Sequence, residues 1–239
     1  MSKEFSFYLG KSLANFLRKP IKSQLDLVKL SLKTAQEIIT PNSDTKVIKD
    51  TKDIHCEGFR IVYPNSSKEK LQRIFFLNRY PNYREKEMYT IQSFVFPFKL
   101  EKTKLEEIKI WYSLPSIRIE MDAATISQIT TLINIIDSQE TWGDTWVEEL
   151  MDLLYGKNRN IKTHEIFYIV NEFLTFDFGY LRFDNDPEHE EENHPRYHID
   201  VHMNNKATYK LGFYETVNIK EFIELLDNNS QIRFIGKPS

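Results

Sequence analysis

The chain has 239 residues, of which 41% are hydrophobic and 28% charged, and its formal net charge is -3. This composition is too apolar for a disordered chain and too charged for a membrane-spanning one, so it predicts a soluble globular protein with its own core. The net negative charge also argues against a surface built throughout for nucleic acid. With only 7 glycines and no glycine-rich phosphate-binding motif, the common routes to nucleotide binding are disfavoured.

The cellular compartment is predicted from features that the sequence lacks. The chain has one cysteine, Cys56, which has no internal partner for a disulfide. Charged residues interrupt the apolar positions near the N-terminus, so no signal peptide is predicted. No apolar run reaches the roughly 18 residues that would indicate a transmembrane helix. We therefore expect a cytoplasmic protein without a transmembrane segment.

Residues 1–45 are predicted to form an N-terminal helical arm. Apolar residues recur between Ile21 and Ile39 at alternating spacings of four and three, which is typical of one stripe on a helix. Pro20 suits the first turn of this helix and separates it from a preceding helical stretch. Thr40, which precedes a proline, is predicted to end it.

The charge and the stripe of this arm indicate a contact surface. Residues 3–33 contain seven basic and two acidic residues. The stripe can pack on the protein's own body, dock a helix of another chain, or place its lysines against a membrane or nucleic acid. Further apolar residues broaden the stripe, which favours two covered faces, so a protein partner is predicted and nucleic acid is the weaker alternative. The predicted partner-binding residues are Lys19, Lys22, Leu25, Val28, Lys29 and Leu32.

Residues 46–239 are predicted to form an α+β body. Alternating aromatic and β-branched residues predict a β-rich part over 54–121 with antiparallel pairing. Helical spacing predicts a helical block over 122–175, and a β-rich part closed by a short helix over 178–239. The fold class is therefore α+β. Whether the two β-rich parts form one sheet or two is left open by the sequence.

Individual elements of the body follow from caps and periodicity. In the helical block, Asp122 is predicted to cap the first helix, and two further helices are predicted over 145–155 and from 163 to about 174. In the last part of the chain, strands are predicted over 180–184, 197–203 and 207–213, followed by a helix capped by Asn218.

Near the C-terminus, His198, Asp200 and His202 alternate along one predicted strand. Side chains two residues apart on a strand project from the same face, so these three are predicted to lie together. If the apolar faces of the neighbouring strands align, their polar faces align too and bring in Asp184, with Arg182 and Lys210 beside it. Four of the six histidines of the chain also lie within residues 189–202.

This polar cluster suggests a divalent metal site. The predicted ligands are Asp184, His198, Asp200 and His202, and a mixture of imidazole and carboxylate suits zinc, manganese or ferrous iron. Arg182 and Lys210 are the candidate catalytic residues, because their positive charges would stabilise developing negative charge. A solvated sheet face shows the same alternation, however, and the spacing matches no helical or cysteine-based zinc motif.

Two functions of different class remain open from the sequence. The first is a non-catalytic interaction subunit of a bacterial cytoplasmic multiprotein assembly, with a defence or toxin-type complex as the context considered. The absence of a known catalytic motif, the basic arm and an acidic stretch over 181–192 favour it. The alternative is a metal-dependent hydrolase that acts on a phosphodiester through the histidine and aspartate cluster.

Overall fold

The computed structural model describes residues 3–40, 57–63, 72–83, 86–104, 107–114, 117–138, 162–202 and 208–226. In this part of the chain it contains ten strands and five helices, which confirms the predicted α+β class. The strands are β1 (Lys3–Tyr8), β2 (Gly58–Tyr63), β3 (Gln72–Tyr83), β4 (Lys86–Phe96), β5 (Phe98–Lys102), β6 (Ile108–Leu114), β7 (Ile117–Glu120), β8 (Leu181–Asn185), β9 (Tyr197–His202) and β10 (Thr208–Phe213). The helices are α1 (Lys11–Leu17), α2 (Gln24–Ile39), α3 (Ala123–Ser138), α4 (Lys162–Thr175) and α5 (Ile219–Leu225).

Seven strands form one antiparallel sheet in the order β1-β2-β3-β4-β8-β9-β10. The pairing of β4 with β8 joins the two predicted β-rich parts, which answers the question that the sequence left open. The remaining strands form a separate sheet in the order β5-β6-β7. Its β6-β7 pair is an antiparallel hairpin.

The chain divides into two compact units. The first contains β1, α1, β2 to β4, β8 to β10 and α5, and the second contains α2, β5 to β7, α3 and α4. The predicted N-terminal arm therefore contributes to both units. It also begins with a strand where a helix was expected, because Phe5 and Phe7 alternate with polar residues and are buried opposite Ile61 and Phe59 of β2.

The seven-stranded sheet has one apolar face and one divided face. On the apolar face, Phe75, Phe183 and Ile199 are buried beneath α5, which contributes Ile219 and Phe222. As predicted, Asn218 caps α5, because its side chain accepts from the backbone amide of the third helical residue in a capping box. The cap thus fixes the start of the helix that covers this apolar face.

The other face of this sheet is apolar on β1, on β2 and on the parts of β3 and β4 beside them, and it is polar on β8 to β10. Aromatic rings fill the apolar half, and the Phe7 and Phe59 rings stack with their centroids 4.8 Å apart. Helix α1 lies at this face, where the Gln92 Nε2 donates to the Leu17 carbonyl oxygen at 3.1 Å. The polar half carries the acidic, basic and histidine residues of the predicted metal site.

Helix α2 of the second unit begins later than predicted. Pro20 does not lie in its first turn, because Ser23 and Asp26 form a capping box that starts the helix at Gln24. Helix α2 packs against α3, α4 and β6. At its N-terminus, the Gln24 Nε2 donates to two carbonyl oxygens, of Phe173 and of the residue three positions later, each at 2.9 Å.

The predicted partner-binding residues of α2 have different surroundings. Val28 and Leu32 are 0% and 1% exposed inside their own unit, so intramolecular packing covers these two side chains. Lys29 forms an ion pair with Asp137 of α3 at 2.6 Å, and Leu25 is half-buried. Lys19 and Lys22 are the exposed members of the set. The apolar seam that was predicted to bind a partner is thus buried by the chain itself at Val28 and Leu32.

The helical block agrees with the sequence where it is described. The Asp122 Oδ1 accepts from the Thr125 amide at 2.7 Å and caps α3 as predicted. Helix α4 corresponds to the helix predicted from residue 163, whereas the helix predicted over 145–155 lies outside the described residues. Among the described helices, none is both long and apolar enough to cross a membrane.

We expect Leu32→Ala to lower the free energy of unfolding by about 2–5 kcal/mol, because alanine leaves a cavity at a fully buried position. Urea denaturation measures the loss, and size-exclusion chromatography should give an unchanged elution volume. The control Lys22→Ala removes an exposed side chain and should change stability by no more than about 0.5 kcal/mol. A Leu32→Ala variant with parental stability that elutes at a smaller size would contradict this assignment.

Candidate metal centre

The registers of β8, β9 and β10 assemble the polar cluster. Arg182 lies opposite Asp200, which lies opposite Lys210, and Asp184 lies opposite His198 in the adjacent row. Residues directly opposite in antiparallel strands share a sheet face, so these side chains project together. The alternation that buries Phe183 and Ile199 on the other face produces this arrangement, as the sequence predicted.

Two carboxylates and two cations pair within the cluster. The Arg182 Nε donates to both carboxylate oxygens of Asp184 at 2.9 Å, and its Nη2 donates to Asp200. The Lys210 Nζ donates to the Asp200 Oδ1 at 2.8 Å. Asp184 and Asp200 are only 6% and 7% exposed, so each depends on these partners. The four side chains carry two positive and two negative charges and balance one another.

His198 is fully buried and its ring orientation is fixed. Its Nδ1 lies 2.7 Å from the Pro195 carbonyl oxygen, which can only accept, so Nδ1 carries the proton of this hydrogen bond. The Nε2 accepts from the Lys210 Nζ at 2.8 Å. It also lies 3.4 Å from the Asp184 Oδ2 and 3.7 Å from the Asp200 Oδ1. The ring therefore presents a lone pair towards both carboxylates.

Gly212 makes room for the carbonyl that orients His198. It lies opposite His198 on β10. A β-carbon at this position would lie 3.0 Å from the Pro195 Cγ, which is closer than normal van der Waals contact. The absence of a side chain at Gly212 thus allows Pro195 to lie over β10 with its carbonyl directed at the imidazole.

The electrostatics of the cluster favour its charged forms. Burial alone would raise the pKa of Asp200, but the hydrogen bond from Lys210 and the charge of Arg182 outweigh it and hold that pKa below its ordinary value. Burial alone would lower the pKa of Arg182, yet the charge and hydrogen bond of Asp184 raise it above the ordinary value. Asp200 and Arg182 therefore remain ionised although they are largely enclosed.

Three of the four predicted metal ligands come together. Asp184, His198 and Asp200 each offer one ligand atom, and these atoms all lie within 4.8 Å of one another, so this buried triad can hold a metal ion. The fourth predicted ligand, His202, ends β9 opposite Thr208, and its side chain lies outside what the structure describes. The Lys210 Nζ lies 2.8 Å from two of the three ligand atoms, close to where a cation would bind them.

The acidic stretch before β9 forms an ordered turn beside His198. The Asp186 carboxylate accepts from the His189 Nδ1 at 2.9 Å and from two backbone amides. The His194 ring meets the His198 ring edge-on, with the centroids 4.8 Å apart. Partial burial and the nearby charge of Lys210 lower the pKa of His194, whereas the hydrogen bond that His189 donates to the Asp186 carboxylate raises the pKa of His189. The two loop histidines therefore differ in their tendency to carry a proton.

The polar face extends further than the sequence predicted. Thr90 of β4 lies opposite Asp184, Gln92 lies opposite Arg182, and Asn78 of β3 lies opposite Thr90. All three polar side chains are at most 7% exposed. The only sequence signal was the alternation of Thr90 and Gln92 with apolar residues, and it acquires a meaning only once β4 is known to pair with β8.

Searches against protein-family models, curated proteins and solved structures find no match for this chain. The assignment of a function therefore depends on the geometry of the site alone.

We expect Asp200→Asn to destabilise the protein most at neutral pH. The native pKa of Asp200 lies below the ordinary 3.8, so its carboxylate stabilises the fold above that pH, and this contribution disappears as the pH falls through the lower native value. Thermal unfolding from about pH 7 down to about pH 2 should show the gap to the parent narrowing in acid. The control Glu188→Gln removes an exposed charge of the loop. A gap that stays constant across this range would refute the assignment.

Proposed function

We propose that Asp184, His198 and Asp200 bind a divalent metal ion and that the protein is a metal-dependent hydrolase of phosphodiesters. The observation that carries the proposal is the fixed His198 ring. Its Nδ1 donates to the Pro195 carbonyl, and its Nε2 faces two carboxylates. Histidine ligands of metals commonly donate their second ring nitrogen to a carbonyl or carboxylate, because this fixes the tautomer and the ring orientation.

The donor set supports a particular group of metals. One imidazole nitrogen and carboxylate oxygens suit zinc, manganese and ferrous iron, whereas calcium and magnesium prefer oxygen donors alone. No thiol is near the triad among the described residues, which disfavours the sites that soft metals occupy. We therefore propose zinc, manganese or ferrous iron as the cofactor.

Lys210 must move for the metal to bind. Its ammonium group hydrogen-bonds the Asp200 Oδ1 and the His198 Nε2, and both atoms would be metal ligands. The side chain is 31% exposed and has a flexible four-carbon stem, so it can rotate away from the triad without disturbing the strand. Metal binding then exchanges one cation for another at the same two atoms.

The charge balance favours an anionic substrate. Asp184 and Asp200 neutralise Arg182 and one charge of a divalent metal, so one positive charge remains at the site. A phosphodiester carries one negative charge and would neutralise it. The displaced Lys210 adds a second cation at the rim of the cluster, where it can bind the substrate phosphate.

Each residue of the cluster would have its own role in the proposed reaction. A divalent metal lowers the pKa of a bound water and so supplies a nucleophile at neutral pH. Asp184, Asp200 and His198 would hold that metal. Arg182 donates to both carboxylates and so orients them, which makes it a positioning residue. Lys210 is the group left to stabilise the negative charge that develops on the phosphate.

We expect the parent protein to bind Mn²⁺ or Zn²⁺ in isothermal titration calorimetry and to hydrolyse bis-p-nitrophenyl phosphate only when the metal is present. His198→Ala should abolish both, because it removes the one imidazole ligand of the triad. His189→Ala is the matched control, since this histidine lies on the exposed loop and should retain both properties. A separate His202→Ala variant decides whether the fourth predicted residue contributes.

The Lys210→Met variant provides an independent test of the same site. It should strengthen metal binding, because the competing ammonium group is gone, and weaken hydrolysis, because the phosphate loses a cation. Metal binding by the parent that persists unchanged in His198→Ala would overturn the proposed ligands. A parent that binds neither Mn²⁺ nor Zn²⁺ would overturn the metal centre itself.

We also propose, as a second candidate, a non-catalytic interaction subunit of a multiprotein assembly. It is supported by the complete pairing of Arg182 and Lys210 with the two carboxylates, which gives the cluster a structural role without a metal. Helix α4 also exposes two neighbouring aromatic side chains, Phe167 at 37% and Tyr168 at 56%. Exposed aromatic residues are typical of protein interfaces.

For the second candidate we expect Lys19→Glu/Lys22→Glu to release the protein from a stoichiometric complex isolated from its native source, because these two lysines are exposed. Size-exclusion chromatography of the tagged protein at its native expression level measures the loss. Lys104→Glu is the control for an exposed lysine elsewhere in the same unit. An identical elution profile for parent and both variants would exclude these lysines as partner contacts.

A further inference from the structure

Asn78 and Thr90 continue one row of the polar face away from the triad. Asn78 lies opposite Thr90, Thr90 opposite Asp184, and Asp184 opposite His198, on four consecutive strands. All four side chains therefore project from the same face of the sheet. Asn78 is 0% exposed and Thr90 is 7% exposed. With strands about 4.8 Å apart, Asn78 lies roughly 10 Å along the sheet from Asp184.

The side-chain polar atoms of these two residues have no hydrogen-bond partner in the described part of the chain. Both atoms of the Asn78 amide and the hydroxyl of Thr90 are buried without a hydrogen bond there. The neighbouring Gln92 differs, because it donates to the Leu17 carbonyl and accepts from the Tyr180 hydroxyl, each at 3.1 Å. A buried polar group without a partner destabilises a fold, so these side chains are candidates to bond a group from outside the chain.

We propose that Asn78 and Thr90 form a subsite for the base of a nucleotide whose phosphate lies at the metal triad. This inference rests on the proposed hydrolase function and adds the class of substrate to it. A carboxamide offers a donor and an acceptor side by side, and this pair matches the edge of a nucleobase such as adenine. The hydroxyl of Thr90 lies next to Asn78 in the same row, where it can bond the same base on the side that faces the triad.

Two probes isolate the contribution of the base. Ribose 5-phosphate has a hydroxyl where adenosine 5′-monophosphate has the base, and both are titrated into the 239-residue chain with and without Mn²⁺. We expect the parent to bind the nucleotide about tenfold more tightly than the sugar phosphate, as for a few hydrogen bonds made in a buried site. Asn78→Leu and Thr90→Val should abolish this preference and leave the binding of ribose 5-phosphate unchanged.

The melting temperature provides a second test, because loss of an unpaired hydroxyl should not lower it. Because the Thr90 hydroxyl is unpaired among the described residues, Thr90→Val should leave the melting temperature of the free protein unchanged or raise it by a few degrees. The matched control Thr34→Val removes a buried hydroxyl that bonds the Leu30 carbonyl at 2.7 Å, and it should lower the melting temperature. Thr90→Ser keeps the hydroxyl and should keep the preference for the nucleotide.

The outcomes separate this inference from the metal centre. A parent that binds Mn²⁺ but does not distinguish the two probes overturns the subsite and leaves the metal centre intact. A parent that prefers the nucleotide but binds neither Mn²⁺ nor Zn²⁺ supports the subsite and overturns the metal centre. A clear drop in the melting temperature of Thr90→Val means that its hydroxyl has a structural partner, which also overturns the subsite.

Discussion

The backbone pairing of β4 with β8 is the constraint on which the first unit depends. These two strands are separated by most of the second unit in the sequence, yet they lie side by side in one sheet. Their pairing places Thr90 and Gln92 next to Asp184 and Arg182. It also closes the apolar face, because the buried side chains of both strands meet beneath α5. Without this pairing, β1 to β4 and β8 to β10 would be two separate sheets, and the polar row would not be continuous.

The two faces of the seven-stranded sheet bury different kinds of side chains. Its apolar face is packed with aromatic rings, whereas half of the opposite face holds two buried carboxylates and a buried imidazole beside two partly exposed cations. Buried ion pairs contribute little net stability compared with apolar packing, because desolvation offsets their attraction. The polar half therefore adds little to the stability that the apolar face provides. The side chains of Asn78 and Thr90 have no hydrogen-bond partner within the described part of the chain, so they add no stability through pairing there.

Period-two alternation was sufficient to predict the cluster of β8, β9 and β10. Because side-chain direction on a strand follows position, burial of Phe183 and Ile199 required Asp184, His198 and Asp200 to share the opposite face. Alternation does not specify which distant strands pair, so Asn78 and Thr90 could not be connected to the cluster. The choice of neighbour depends on the packing of whole faces, which no local pattern contains.

The N-terminal segment shows a different limit of the same reasoning. A helical stripe identifies a face that will be covered, but it does not identify the covering element. Val28 and Leu32 were correctly placed on one stripe, and that stripe packs against helices and a strand of its own unit. The short β1 was missed because two phenylalanines spaced by two residues were interpreted together with the helix that follows. Which partner covers an apolar face is a tertiary property, decided by the shapes that meet there.

The close approach at Gly212 has a mechanical consequence for the imidazole. The position is exposed, and its missing side chain is what lets Pro195 rest on β10 while its carbonyl holds the Nδ1 of His198. The loop is therefore linked to the buried imidazole through one backbone carbonyl. A side chain introduced at Gly212 would displace Pro195 and disturb this hydrogen bond, although the substituted position itself faces solvent.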